Sequence, residues 1–193
     1  MIDKTSANAK ADITPFIFIL SWNRPIYLWA CLDSIYRHTE HACKIVLADN
    51  NSTDPLVDSV IDGFEKRGLF YKVHRFSTND PFRFEKLIKK YEDEIGKYFA
   101  LIESDIEIMP SNDCWLHTLV DHMENDDSIA SIGSRVYQQD FVSLEEAIKL
   151  QPNKSIHELN QLIKSHAPMR NYKHTEEPLI CPHNPPLRLL LTR

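Results

Sequence analysis

Short, wholly apolar runs alternate along this chain with longer stretches in which apolar residues return every three or four positions. Pro15-Phe-Ile-Phe-Ile-Leu20 is the first such run, and it stops at the polar stretch Ser21-Trp-Asn-Arg-Pro25. A run of that length, rich in aromatic and branched residues, predicts a strand buried on both faces. Pro25 suits the first turn of a helix, where its missing N–H costs nothing. That helix is predicted to reach about Arg37, with Tyr27, Leu28, Cys31, Leu32, Ile35 and Tyr36 on its core face. Trp22 is read as a core residue rather than a stacking platform.

The pattern then repeats. Lys44-Ile-Val-Leu-Ala48 predicts a second buried strand, ending in Asp49-Asn-Asn-Ser-Thr-Asp54-Pro55. A Ser/Thr/Asp cluster followed by proline is a helix start. The helix would turn Leu56, Val57, Val60, Ile61 and Phe64 inward and close at Gly68. Tyr71 to Phe76 predicts a third strand, and Thr78-Asn-Asp-Pro81 a turn that opens a helix through Ile95. Tyr98 to Ile102 predicts a fourth strand and drives straight into Glu103-Ser104-Asp105. A helix from Trp115 to about Glu124, with Trp115, Leu116, Leu119, Val120 and Met123 inward, precedes a fifth strand candidate at Ile129 to Tyr137. Strands alternating with helical patterns of this length imply a mainly parallel, twisted sheet flanked by helices on both faces, an α/β fold.

From residue 138 the character changes. Ser143 with Glu146, and Ser155 with Glu158, are capping-box patterns ahead of two helices, to Leu150 and to about Ser165. A proline- and histidine-rich stretch follows from Ala167 to Pro186, and then a last apolar segment, Leu187 to Leu191, a strand candidate.

Composition narrows the classes. A chain of 193 residues with 42% hydrophobic residues fits one domain with a real core. A net charge of -6 with no basic stripe argues against a nucleic-acid partner, and Lys86 to Lys90 reads as a solvated helix face. Cys31, Cys43, Cys114 and Cys181 show no C-x-x-C spacing, which suits thiols in a reducing compartment better than a disulfide frame or zinc site. Residues 1–13 read as a polar, flexible tail without a signal-type apolar region. No window has the apolar length of a membrane span, so a cytoplasmic location is the expectation. Only four glycines occur, and neither GxGxxG nor GxxxxGK[ST] is present.

The candidate chemistry sits where three predicted strands end: Ser21-Trp-Asn-Arg24, Asp49-Asn-Asn-Ser-Thr-Asp54 and Glu103-Ser-Asp105. Open α/β sheets bind ligands at the carboxyl ends of their strands. Two carboxylates one residue apart there suit a divalent cation held by oxygen, with phosphate completing its shell. A carboxylate just past a strand also serves as a turn residue or helix cap, and Asp54, before Pro55, is read as such a cap.

With these three motifs in this order the chain resembles glycosyltransferase family 2, of the GT-A fold. Ser21-Trp22-Asn23-Arg24 matches that family's first strand end, Asp49-x-x-Ser52-x-Asp54 its second, and Glu103-Ser-Asp105 its DxD motif, with Glu in the first place. The resemblance covers roughly residues 14–137 and implies a single GT-A-like domain. It implies that Asp49 accepts from the base of a nucleotide-sugar, usually uridine, and that Ser21 and Asn23 line the base or ribose pocket. Ser52 falls within the same donor motif, and Arg24 and Lys86 are candidate donor contacts. Asn79 and Arg83 fall where such enzymes place polar or basic groups, although Arg83 and Lys86 also read as plain helix surface. It further implies Asp105, with Glu103, as ligand to Mn2+ or Mg2+, His183 as a third metal ligand, and Glu107 as a solvated spare.

Residues 138–193 would be the acceptor side of the same domain. An inverting transferase needs a general base for the acceptor hydroxyl. The family's Glu-Asp pair and QxxRW signature are both absent after residue 138, which leaves Asp140 and Glu176, of the Glu176-Glu177 pair, as candidates. The implied activity is inverting transfer from a nucleotide-diphosphate sugar, with UDP-sugar the first choice, to a glycan or glycolipid acceptor, as in polysaccharide biosynthesis. Two alternatives stand: a non-catalytic nucleotide- or glycan-binding module, and a sugar nucleotidyltransferase. The second generally carries a Gly-rich loop after its first strand, which Ser21-Trp-Asn-Arg-Pro25 lacks.

Overall fold

Alternate residues of a strand face opposite sides of a sheet, so a strand apolar at every position needs cover on both. Strand β1 (Phe16–Ser21) has it. In the computed structural model, which describes residues 14–133, 143–160 and 189–193, Ile17 and Ile19 enter one core cluster and Phe16 and Phe18 another. The chain then alternates through α1 (Pro25–His38), β2 (Lys44–Asp49), α2 (Pro55–Lys66), β3 (Lys72–Arg75), α3 (Arg83–Lys90), β4 (Phe99–Glu103) and α4 (Trp115–Asn125). It continues with β5 (Ser131–Gly133), α5 (Leu144–Leu150) and β6 (Leu189–Thr192). The sheet runs in the order β3-β2-β1-β4-β6-β5. Strands β1 to β4 are mutually parallel, and β6 lies antiparallel between β4 and β5.

The larger cluster buries Leu28, Cys31, Leu32 and Ile35 of α1, Val57, Ile61 and Phe64 of α2, and Leu116, Val120 and Met123 of α4. The other face carries α3, through Leu87, and Tyr91 just beyond it, against Phe16, Phe18, Val46, Ala48 and Leu101. Helices thus cover both faces, as the alternating pattern predicts.

Local signals explain the helix boundaries. Asp54 caps α2, its Oδ1 accepting the Leu56 N–H at 2.9 Å. Gly68, at φ 74, ends the same helix in a left-handed turn that L side chains rarely adopt. There the Leu69 N–H reaches the Phe64 carbonyl and the Gly68 N–H the Glu65 carbonyl, the paired bonds of a Schellman motif. Both predicted capping boxes form, at Ser143 with Glu146 and at Ser155 with Glu158.

Several expectations are corrected. Tyr27, Tyr36 and Leu56 are exposed rather than inward. A helix lying on a sheet buries one stripe, and these three fall about 100° off the stripes formed by Leu28/Cys31/Leu32/Ile35 and Val57/Ile61/Phe64. Trp22 is 53% exposed, because β1 ends at Ser21 and the next residues turn outward. The helix expected to run from the Thr78–Pro81 turn through Ile95 is the shorter α3, followed by turns. Arg83, expected on its surface, is buried. The fifth strand is described over Ser131–Gly133, with Ile129 and Ala130, expected in it, lying ahead of it outside the strand; residues 134–137 of its predicted span lie outside the described residues, as do residues 1–13.

Candidate functional site

Parallel register brings the three motifs to one edge. Ser21 pairs with Asp49 across β1 and β2, and Leu20 with Glu103 across β1 and β4. Backbone bonds extend the edge, Asn50 N–H to the Ser21 carbonyl at 2.7 Å and Ser104 N–H to the Leu20 carbonyl at 3.1 Å.

The β1 and β2 motifs lock into each other. Asn23 and Arg24 both sit at φ 55, so the chain reverses sharply before α1. Asn tolerates this conformation well, and for Arg it is strained. The reversal lets the Asn23 Oδ1 accept the N–H groups of Thr53, at 2.8 Å, and Asp54, at 3.1 Å, while the Asn23 N–H donates to Ser52 Oγ at 2.7 Å. Ser52 in turn donates to Asp49 Oδ1 at 2.5 Å, and its N–H reaches the same oxygen at 3.2 Å. Asp49 is therefore buried and oriented, with Asp54 rather than Asp49 capping α2.

Asn50 is a hub that the sequence reading did not single out. Buried, it donates to Asn79 Oδ1 at 2.7 Å and to the Asp80 carbonyl at 3.0 Å. Its Oδ1 accepts from the Asp80 N–H and from Arg83 Nε. Arg83 also donates to the Thr78 carbonyl at 2.7 Å and stacks on Phe76 at 3.6 Å. Asn79 and Arg83 thus fasten the β3–α3 loop to the end of β2. Lys86 pairs with Asp80 at 2.5 Å, and that bond, reinforced by the Phe82 N–H, holds the Asp80 carboxyl below its ordinary range.

The β4 end is built differently. Asp105 meets Arg24 Nη1 at 3.6 Å through one oxygen, and its Oδ1 is buried without a hydrogen-bond partner. Ser21 Oγ, on the neighbouring strand, is buried and unpartnered as well. From below, α1 supports this turn. Cys31 Sγ lies 4.0 Å from the Glu103 carbonyl, and Ser34 Oγ accepts the Ile108 N–H at 2.9 Å. Burial, with the Asp105 charge adding to it, pushes the Cys31 thiol up to about 12, so it packs as a neutral group. Glu107 is exposed, as expected.

Among the described residues no three His, Cys, Asp or Glu side chains stand close enough together to hold a metal ion. The unpartnered Asp105 oxygen still fits a cation whose remaining ligands come from a bound diphosphate and water. Asp140, Glu176 and His183 lie outside the described residues.

A mainly parallel sheet in this order, covered on both faces and carrying polar motifs at the ends of β1, β2 and β4, defines the GT-A fold. The chain belongs to glycosyl transferase family 2, whose profile matches residues 16–188. Among solved structures, the mannosyltransferase PcManGT from Pyrobaculum calidifontis, in complex with GDP-Man and Mn2+, matches with a TM-score of 0.52 at 17% identity, over 68% of this chain and 39% of that one. S. aureus TarS 1-349 in complex with UDP matches with a TM-score of 0.50 at 18% identity, over 67% of this chain and 38% of that one. At these identities the likeness is one of fold, and the chain spans less than two fifths of each structure's length in these matches. No curated protein matches the sequence. Among the described residues no helix is long and apolar enough to cross a membrane.

Proposed function

We propose that this chain is a glycosyltransferase that binds a nucleoside-diphosphate sugar across the ends of β1, β2 and β4 and transfers the sugar to an acceptor hydroxyl with inversion. The observation that carries this reading is the buried, unpartnered Asp105 oxygen, together with the equally unpartnered Ser21 hydroxyl at the end of the neighbouring strand, on the edge where α/β sheets bind ligands. A buried acceptor without a donor costs roughly 1–3 kcal/mol, a cost that a ligand removes. Family membership supports the same reading.

Asp49, one oxygen held by Ser52, offers the other to an imide or amide N–H of the base. Ser21 contacts the nucleoside. Asn23 and Ser52 act through orientation, because their polar atoms already bond within the loop. Arg24 is a diphosphate contact, and Lys86 a further basic group of the donor side. Asp105, with Glu103, would hold Mn2+ or Mg2+. Such a cation neutralises charge on the leaving nucleoside diphosphate. The acceptor oxygen attacks the anomeric carbon from the side opposite the diphosphate, and its proton passes to a carboxylate, for which Glu176 and Asp140 are the candidates. Trp22, Ile26, Tyr27 and Trp29, all exposed near this edge, supply apolar and aromatic faces for a glycan or glycolipid acceptor.

In domain terms, residues 14–137 carry the donor side and residues 138–193 the acceptor side of one unit. One competing reading is a module that binds nucleotide without catalysis. Calorimetric titration with UDP and then GDP, each with Mn2+ and with chelator, tests the site. Cation-dependent binding of one nucleotide is expected, and no binding under any condition would overturn the proposal. Binding without sugar transfer or donor hydrolysis would select the non-catalytic module.

A further inference from the structure

Past the end of β4 the chain makes a sharp turn. The Ile106 N–H reaches the Glu103 carbonyl at 3.2 Å, which closes four residues with Ser104 and Asp105 at the two central places. An unhydrated carboxylate oxygen is costly, and a turn free to move would swing it into water. Asp105 does not swing out: its Oδ1 stays buried without a partner. Both arms of the turn are therefore held. The entering arm is fixed on β1, where the Ser104 N–H donates to the Leu20 carbonyl at 3.1 Å. The leaving arm is fixed on α1, where the Ile108 N–H donates to Ser34 Oγ at 2.9 Å.

Helix propensity does not account for a serine at position 34. Serine favours caps and turns, because its hydroxyl competes for backbone groups, and alanine would suit a helix interior better. Yet Ser34 lies inside α1, on the buried stripe with Cys31, Leu32 and Ile35. Its hydroxyl donates to the Cys31 carbonyl, one turn back, at 2.8 Å. That bond uses the proton and leaves a lone pair for the Ile108 N–H. Ile108 is itself buried, and among the described residues Ser34 is the acceptor of its N–H.

We infer, on the proposed function in which Asp105 holds the cation, that Ser34 is a positioning residue of the site: it pins the leaving arm of the 103–106 turn and so keeps the Asp105 carboxylate in its unsatisfied, ligand-ready place. Ser34 touches no ligand and acts through the backbone from Ile106 to Ile108. The other tie on Asp105 differs in kind. Arg24 meets it at 3.6 Å from the exposed start of α1, as a counter-charge that a cation displaces. Ser34 is buried and keeps its bond, so the carboxylate stays in place after Arg24 has let go. A loop ordered beforehand raises affinity, because the ligand does not have to order it on arrival.

Calorimetric titration of the full chain with Mn2+, with and without UDP, tests this, beside urea unfolding of each protein without ligand. Ser34→Ala should weaken Mn2+ binding at least about tenfold, the usual loss when a partner that orients a metal ligand is removed. Ser34→Cys fills the same space with a poor acceptor and should weaken it as much, which separates the lost bond from lost volume. Ser34→Thr keeps the hydroxyl and its backward bond, and should stay within about threefold of the parent. Ile61→Val, in the same core cluster but on α2, lowers the urea midpoint and should leave Mn2+ affinity unchanged. Equal Mn2+ affinity in the parent, Ser34→Ala and Ser34→Cys would overturn the role of Ser34 and leave the proposed function standing. A loss shared by Ile61→Val would overturn it too, by showing general loosening of the fold. A parent that binds no Mn2+, even with UDP, would overturn the proposed function and the role of Ser34 with it.

Discussion

The loops that leave β2 and β4 emerge on the same edge, on either side of β1, yet they are held in opposite ways. After β2 the polar side chains answer one another: Asn23 holds Thr53 and Asp54, Ser52 holds Asp49, and Asn50 holds Asn79, Asp80 and Arg83. After β4, Asp105 has one long contact with an exposed arginine and one buried oxygen with nothing to accept from. The first loop is held by its own hydrogen bonds and, on the proposed function, would set the geometry of the site. The second leaves a buried acceptor unsatisfied, a cost that on the same proposal a bound ligand would relieve. A fold keeps such an unsatisfied group where function needs it.

The largest effect should come from taking away the unsatisfied group. Asp105→Asn should lower cation-dependent nucleotide binding by more than about 100-fold, beyond what loss of an outer-shell partner does. Without ligand the variant should unfold at the same urea concentration as the parent or a higher one. Unchanged nucleotide and Mn2+ binding would remove Asp105 from the metal site. The rigid loop should show the opposite profile. Asn50→Ala strips partners from Arg83, at a buried position, and from the N–H of half-buried Asp80, and should cost about 2 kcal/mol, read as a lower urea midpoint at unchanged slope. A loss well under 1 kcal/mol would mean that water replaces Asn50 and that the loop is less rigid than its bonds suggest. The smallest effect belongs to the contact joining the two loops. Arg24, 66% exposed, competes with a cation for Asp105, so Arg24→Gln should tighten Mn2+ binding in the absence of nucleotide. An exposed pair is worth at most about 1 kcal/mol, so the gain should stay within roughly fivefold and shrink as salt is added. Weaker cation binding in this variant would show that Arg24 helps to hold the ion's surroundings together.

The sheet was legible wherever local chemistry decides. Phe16 to Leu20, Ile45 to Ala48 and Phe99 to Ile102 are apolar at successive positions because both sheet faces are covered, and their shortness and β-branched and aromatic content mark them as strands. Pro25, Asp54-Pro55 and Gly68 announce helix boundaries because each meets a backbone demand at its own position. The three motifs of the candidate site could be read for the same reason: each directly follows a recognisable strand. The role of Asn50 was hidden, since its partners lie about 30 residues away and nothing separates it locally from Asn51. Arg83 looked like helix surface because burial of a guanidinium depends on Phe76 and Asn50 being brought to it. Tyr27, Tyr36 and Leu56 read as inward because periodicity marks an arc, while the sheet decides how wide an arc it covers.

The position of β6 has a consequence for how the chain acquires its shape. All four of its residues pair with β4 on one side, and Leu190 to Thr192 pair with β5 on the other, so residues 189–192 stand between strands made much earlier in synthesis. Until they emerge from the ribosome, the inner edge of β4 is an open row of backbone donors and acceptors flanked by Ala100, Leu101 and Ile102. Closure of the sheet is therefore a late, long-range event of high contact order, which makes folding slow. A nascent chain stalled before Leu189 would expose an adhesive edge to its neighbours, and it is at this stage that a chaperone would have the most to cover.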